Sequence, residues 1–261
     1  MSARVAILVF PGTNSESETL RAALDVGLDA ELIHWTRKPA DLRAFDAYVL
    51  CGGFAYEDRV RAGAIAAHHP LIDAVIEGAQ KDKLVLGICN GAQVLLETGL
   101  VPGTGPLRRP TAAFAPNQPA HFLCRHVYVK LAIAPSRCRL TAALAPDALI
   151  PAWVAHGEGR LIANESELEA IKCGAHVAFV YADEDGTPLQ AAPNGSALCA
   201  AALTNVAGNV LAIMPHPERD GWTYQHRDGA VRAAARGNAT AILAPSGGTA
   251  LFQSLAAGLR A

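Results

Sequence analysis

The stretch LVLGICNGAQ, residues 84–93, decides the fold. Its apolar start, residues 84–86, predicts a buried strand, and residues 92–98 predict a short helix that ends at Gly99. Cys89 stands at the sharp turn between them, with a glycine two residues away on either side. The unpaired N–H groups and the dipole of a helix N-terminus favour a thiolate, which is the reactive form of cysteine. The stretch therefore predicts a cysteine nucleophile.

A second stretch, MPHPER at residues 214–219, supplies a candidate base. Pro217 disfavours helical geometry at His216, and in an extended chain His216 and Glu218 point to the same side. The carboxylate can then hold the imidazole in the tautomer that accepts a thiol proton, as in a catalytic triad. The spacing leaves open whether His216 reaches Cys89.

The first hundred residues alternate between strand and helix patterns. The predicted strands are 5–10, 30–35, 47–51 and 83–88, and the predicted helices are 15–26, 71–79 and 92–98. Within the first helix, Leu20, Ala23 and Leu24 are expected to form the buried face. Such alternation predicts an α/β fold with a doubly wound parallel sheet, in which ligands bind beyond the carboxyl ends of the strands.

Residues 100–215 change character, because helical periodicity fades and short strand patterns replace it. These strands are predicted at 126–133, 152–155, 177–181 and 210–214. They are interpreted as an antiparallel portion of the same unit, so that residues 1–261 form a single domain. A closing helix is expected at 249–259, and residues 225–250 have no assigned role.

Composition excludes several functional classes. Of the 261 residues, 51% are hydrophobic and 18% are charged, which is ample for a large core and excludes a disordered chain. The net charge of -2 argues against nucleic-acid binding, and no apolar run approaches the length of a membrane span. The six cysteines show no CxxC spacing, so no metal site is expected, and a cytoplasmic location is predicted.

Four further segments match a known family: FPGTN at 10–14, GGF at 52–54, RAGAIA at 61–66 and HGEGR at 156–160. Together with the cysteine and histidine stretches, and in this order, they resemble the class I glutamine amidotransferases. More narrowly, they resemble the glutaminase subunits that serve phosphoribosylformylglycinamidine synthase. The resemblance implies a flavodoxin-like, doubly wound, mostly parallel sheet with an added antiparallel portion.

The resemblance also implies roles for individual residues. Cys89, His216 and Glu218 would form the catalytic triad, and the backbone N–H groups of Gly53 and Asn90 would form the oxyanion hole. Gln93 would contact the bound glutamine, and the segment at 156–160 would face a partner. Taken without the family, the Gly-Gly pair at 52–53 is a plain turn, and Gln93 is an ordinary polar helix residue.

The implied activity is hydrolysis of L-glutamine to glutamate and ammonia through a thioester on Cys89. The ammonia would pass to a PurL-like synthetase subunit, with a small PurS-like subunit as a possible third component. No cofactor is expected on this chain, since ATP and magnesium would bind the synthetase. The sequence departs from the family at Ser15, where many members carry cysteine, and at Glu57 and Arg59, in a segment usually written Ser-Tyr-Gly-Asp.

Three alternatives stay open. The chain could be the glutaminase of another ammonia-using synthetase, which would share the same triad. It could be a non-catalytic, regulatory relative of the fold, against which the intact triad argues. It could also be a free-standing cysteine hydrolase; those often carry histidine directly after the cysteine, where this chain has Asn90.

Overall fold

The computed structural model describes residues 2–235 and 239–260, and a nine-stranded sheet forms its centre. The strands are β1 (Arg4–Val9), β2 (Asp29–His34), β3 (Ala47–Leu50), β4 (Leu84–Ile88), β5 (Ala112–Pro116), β6 (Leu123–Leu131), β7 (Leu149–His156), β8 (Glu158–Ala163), β9 (Val177–Ala182), β10 (Ala200–Thr204) and β11 (Val210–Ile213). The helices are α1 (Glu16–Asp25), α2 (Ala64–Ala67), α3 (Pro70–Gln80), α4 (Asn90–Glu97), α5 (Glu165–Cys173), α6 (Gly229–Ala235) and α7 (Thr249–Gly258).

The sheet has a parallel half and an antiparallel half. Its strand order is β2-β1-β3-β4-β11-β10-β9-β6-β7, while β5 and β8 pair separately. The pairs from β2 to β11 are parallel, and the pairs from β11 to β7 are antiparallel. This is the mixed architecture predicted from the sequence, and each predicted strand matches an observed one to within a few residues.

Burial explains why the parallel strands read as continuous apolar runs. Every residue of β3 and of β4 is buried, because helices cover both faces of this half of the sheet. Helix α4 packs on β3, β4 and β11, and α1 packs on β1 and β2. Beyond these strands, α7 closes the fold where the sequence predicted a helix at 249–259.

Two expectations about helices need correction. The buried face of α1 consists of Thr19, Ala22 and Ala23, whereas Leu24 is half exposed, since the helix turns it away from the stripe centred on those small residues. Helix α5 was not predicted, because Ile171 is its one buried residue and its apolar pattern is therefore too weak. Its start was nevertheless readable: the Asn164 side chain accepts the N–H of Glu167 at 2.8 Å, as a helix cap does.

The segment after the histidine motif is anchored by buried polar contacts. Asp220 is fully buried. Its carboxylate lies 2.6 Å from His126 Nε2 and also accepts a hydrogen bond from the Ser246 hydroxyl. Trp153 Nε1 donates a hydrogen bond to the Gln225 carbonyl at 2.9 Å. The part of residues 225–250 that the structure describes is thus tied to the antiparallel half of the sheet, and 236–238 lie outside the described residues.

None of the helices in the described ranges has the length and apolar character needed to cross a bilayer.

Replacing Asp220 by alanine is expected to lower the free energy of unfolding by about 3 kcal/mol or more, because the side chains of His126 and Ser246 lose their buried hydrogen-bond acceptor. Urea unfolding followed by circular dichroism measures the change. Asp29→Ala is the control, since its ion pair with Arg4 is solvent-exposed and worth at most about 1 kcal/mol. Equal losses in the two variants would contradict the anchoring role of Asp220.

Candidate active site

Cys89 occupies the corner between β4 and α4 in a backbone conformation that side chains rarely adopt, with φ +50° and ψ -106°. Its N–H donates to the Ile213 carbonyl of β11 at 2.8 Å, which fixes the corner on the sheet. The flanking glycines are required by space. A Cβ on Gly87 would lie 2.5 Å from Leu95 Cδ1, and one on Gly91 would lie 2.1 Å from the Leu50 carbonyl oxygen.

The structure brings His216 to this corner. His216 follows β11, which pairs with β4, and its backbone exchanges hydrogen bonds with Trp153 of β7. The imidazole is 1% exposed, its Nδ1 lies 2.6 Å from Glu218 Oε1, and the ring lies close enough to Cys89 for the cysteine to raise its pKa. Since Nδ1 faces the carboxylate, Nε2 is the nitrogen left for the sulfur. The three predicted triad residues therefore lie together, with His216 hydrogen-bonded to Glu218 and placed beside Cys89.

Electrostatics favour a proton on His216. Burial by itself lowers the pKa of this imidazole, but the Glu218 carboxylate and the Cys89 sulfur outweigh burial and raise the pKa to about 10. A base with a raised pKa readily holds the proton that it takes from the thiol. The site is therefore built to hold a charged imidazolium beside Cys89.

Two backbone N–H groups near the Cys89 corner make no hydrogen bond to the described residues. Those of Gly53 and Asn90, the predicted oxyanion donors, have no acceptor among the residues that the structure describes. Gly53 has φ +147°, and a Cβ there would lie 2.5 Å from the Gly12 carbonyl oxygen. Its neighbour Gly52 lies directly against the dyad, since a Cβ there would be 2.4 Å from His216 Cε1 and 3.3 Å from Cys89 Cβ.

The Asn90 side chain joins α4 to the loop that follows the Gly52–Gly53 turn. Its Oδ1 accepts the Ala55 N–H at 3.0 Å, and its Nδ2 donates to Asp58 and to Gln93, each at 2.9 Å. Gln93 in turn donates to the Glu158 carbonyl at 2.6 Å. Gln93 thus braces the site wall through both ends of its amide, and its contact with glutamine stays a prediction.

Residues 56–60 form a strained loop beside this network. Tyr56, Glu57, Asp58 and Val60 all have positive φ. Glu57, at φ +59°, lies in the segment that departs from the family pattern, and a positive φ costs backbone strain in a residue with a side chain. Burial, helped by the charge of Glu158, raises the pKa of Asp58 to about 6, although the hydrogen bond from Asn90 opposes this rise.

Sequence reasoning missed the electrostatic role of His156. This ring is 3% exposed, and its Nδ1 lies 3.1 Å from the Asn117 side-chain oxygen, so that nitrogen carries the proton. Burial, followed by the charge on His216, lowers the pKa of His156 to about 4. A neutral imidazole therefore lies beside the dyad. The HGEGR segment marked this histidine, but the pattern contains no sign of its burial.

Among the residues that the structure describes, a histidine–aspartate cluster of residues 126, 220 and 226 could hold a metal, because their donor atoms lie within 4.8 Å of one another. Existing hydrogen bonds compete with that use. His126 faces Asp220 at 2.6 Å, and the Asp228 N–H donates to His226 Nδ1 at 3.1 Å. That this chain works without a bound metal stays a prediction. All six cysteines are free of disulfide bonds.

Comparison with known proteins identifies the family to which this chain belongs. A family model described as a CobB/CobQ-like glutamine amidotransferase domain matches residues 2–255. The phosphoribosylformylglycinamidine synthase subunit PurQ of Thermomicrobium roseum is 41% identical over 218 residues, which are 83% of this chain and 87% of that protein. The PurQ of Aquifex aeolicus is 38% identical over 218 residues, covering 83% and 90%.

Solved structures of glutamine amidotransferases and related subunits have the same fold as this chain. The structure of PurLQS from Thermotoga maritima aligns with a TM-score of 0.74 at 26% identity, covering 98% of each chain. A putative GMP synthase subunit from Thermoplasma acidophilum shares the fold, with a TM-score of 0.57 at 15% identity, covering 100% of this chain and 95% of that chain. The resemblance and the fold class inferred from the sequence are thus confirmed, and the chain belongs to the class I glutamine amidotransferases.

Proposed function

We propose that this chain is the glutamine-hydrolysing subunit of a phosphoribosylformylglycinamidine synthase. The observation that carries the proposal is the buried arrangement of Cys89, His216 and Glu218 at the carboxyl edge of the parallel strands, in which Glu218 holds His216 beside the cysteine. It stands in a chain 41% identical to a PurQ subunit over most of its length. A nucleophile, its base and an orienting carboxylate are the parts that acyl transfer requires.

The first half of the reaction builds a thioester. His216 takes the thiol proton, and Cys89 Sγ attacks the side-chain carboxamide carbon of glutamine. The carbonyl oxygen becomes an oxyanion, which the N–H groups of Gly53 and Asn90 stabilise; one such donor is typically worth roughly 3 kcal/mol of barrier. The C–N bond then breaks, and His216 returns its proton to the leaving nitrogen, so that ammonia departs and a glutamyl thioester remains.

The second half uses water as the nucleophile. His216, now neutral, takes a proton from the water while its oxygen attacks the thioester carbon. The same two N–H groups bind the second oxyanion, and its collapse breaks the C–S bond. Glutamate leaves and Cys89 recovers its proton. Glu218 holds Nδ1 of His216 through both halves, which keeps Nε2 aimed at the reacting atoms.

The ammonia would be used by a partner. A PurL-like synthetase subunit would bind ATP and magnesium and incorporate the ammonia, with a PurS-like subunit as a third component. A structure of PurLQS that aligns with nearly the whole chain supports this assembly. The six free cysteines suit a reducing compartment, so the proposed location is the cytoplasm.

Reconstitution tests this proposal against its strongest rival, a glutaminase that serves a different synthetase. The chain is mixed with the PurL-like and PurS-like proteins of its own host, and amidine formation from formylglycinamide ribonucleotide, ATP and glutamine is measured. Product formation only when this chain is present supports the proposal. Glutamine hydrolysis without amidine formation would favour the rival.

Cys89→Ala is expected to abolish glutamine-dependent synthesis by the complex and to spare synthesis from added ammonium, because only the thioester step needs the sulfur. Both rates are measured on the reconstituted complex. Cys173→Ala, at an exposed cysteine in α5, is the control and should retain both activities. Full glutamine turnover by the Cys89 variant would remove this residue from the mechanism.

Glu218→Gln is expected to slow glutamine turnover less than His216→Ala does, with losses that differ by at least roughly tenfold, since an orienting group is more replaceable than a base. The same variant should lower the pKa of His216, because burial then acts without the opposing carboxylate. The imidazole would lose its proton at a lower pH, which ring ¹⁵N shifts of His216 detect. An unchanged titration would show that Glu218 does not set the charge of the base.

A further inference from the structure

We propose that Ser15 is a positioning residue, which locks the Gly52–Gly53 peptide in the orientation that offers the Gly53 N–H to the oxyanion. This inference rests on the proposed function, because it concerns the donor that glutamine hydrolysis would use.

Hydrogen bonds hold the peptide groups on both sides of Gly52. The Gly52 N–H donates to Ser15 Oγ at 3.0 Å, and the Gly52 carbonyl accepts the Asn14 N–H at 3.1 Å. The Ser15 hydroxyl lies 3.5 Å from the same carbonyl and can add a weak donor. Ser15 is the one side chain in this set of contacts, so it is the part of the clamp that a substitution can remove.

Planarity of the peptide bond passes this constraint to the next residue. In a trans peptide, the carbonyl of one residue and the N–H of the next point in opposite directions. With the Gly52 carbonyl held towards residues 14–15, the Gly53 N–H must point away from them. No described residue accepts a hydrogen bond from it there. A flipped peptide would break the bond from Asn14 and aim a carbonyl, which repels an anion, where the donor now points.

The position of Ser15 suits this role. It is the residue before the first turn of α1, where a serine hydroxyl usually caps its own helix. Here the side chain makes no capping bond, and the hydroxyl is committed to Gly52 instead. Its own carbonyl accepts the Thr19 N–H at 3.0 Å and the Thr19 hydroxyl at 2.8 Å, so the helix fixes the residue in place. Ser15 is fully buried, which leaves its side chain little freedom.

A purely structural role would be different in its consequences. If Ser15 only tied α1 to the sheet, its loss would lower stability, and any loss of activity would follow the fraction of unfolded protein. If it positions the oxyanion donor, its loss slows the step in which the oxyanion forms, while glutamine binding and thiol reactivity stay unchanged.

The test is Ser15→Ala in the reconstituted complex. We expect kcat for glutamine to fall about tenfold, as for the loss of one hydrogen bond, with KM within about twofold. Alkylation of Cys89 by iodoacetamide, which forms no oxyanion, should keep its rate. Glutamate γ-semialdehyde, which adds to the thiol and mimics the tetrahedral species, should bind more weakly by about the same factor as kcat.

Two variants serve as controls. Ser254→Ala removes a buried hydroxyl of α7 that accepts the Ala143 N–H at 3.2 Å, and it should leave kcat of the folded protein unchanged. Ser15→Cys keeps a weak acceptor and should recover part of the lost kcat.

Hydrogen exchange tests the clamp without any activity. Ser15→Ala should speed amide exchange in the segment around residues 52–54 several-fold, while Ser254→Ala should not. Unchanged exchange and unchanged kcat in Ser15→Ala would overturn the clamp, as would equal losses of kcat and of alkylation rate. A wild-type complex that fails to hydrolyse glutamine would instead overturn the proposed function, and faster exchange in the variant would then still support the clamp.

Discussion

The close approach of the β4–α4 corner to the end of β3 is the constraint on which the rest of the site depends. Gly91 lies so near the Leu50 carbonyl that no side chain fits between them, and Gly87 is equally confined by Leu95. This contact sets the strained conformation of Cys89, lifts its sulfur to the edge of the sheet and points the first N–H groups of α4 at the same place. The proposed nucleophile and one of the proposed oxyanion donors therefore come from a single turn.

The neighbouring strands supply what the corner lacks. Because β11 lies beside β4 in parallel register, with Ile213 opposite Ile88, the residues that follow each strand emerge together, and His216 meets Cys89. On the other side, β3 delivers the Gly52–Gly53 turn, which a short antiparallel contact between Thr13 and Gly53 holds in place. The site is thus the shared carboxyl edge of three adjacent strands, and its geometry follows from their order.

Sequence reasoning succeeded where the determining contacts are local. The glycines around Cys89 indicate a tight corner, and the proline after His216 indicates an extended backbone. The local conformation of both motifs could therefore be predicted without knowledge of the fold. It failed where the role of a residue depends on contacts with residues far away in the sequence. Asp220 and His126 acquire their anchoring role only when β6 is placed beside the segment after β11, and Ser15 looks like an ordinary helix cap until Gly52 is placed against it. Helix α5 escaped because almost none of it is buried.

Two buried histidines at the site show how partners decide charge. Burial disfavours the protonated form of both rings. His216 overcomes it because a carboxylate and the sulfur face the ring, and its pKa rises to about 10. His156 meets an amide oxygen and the neighbouring His216, and its pKa falls to about 4. The site therefore holds one imidazolium and excludes a second. Were both rings charged, their repulsion would disfavour the proton on His216, so the neutrality of His156 helps to keep that proton in place.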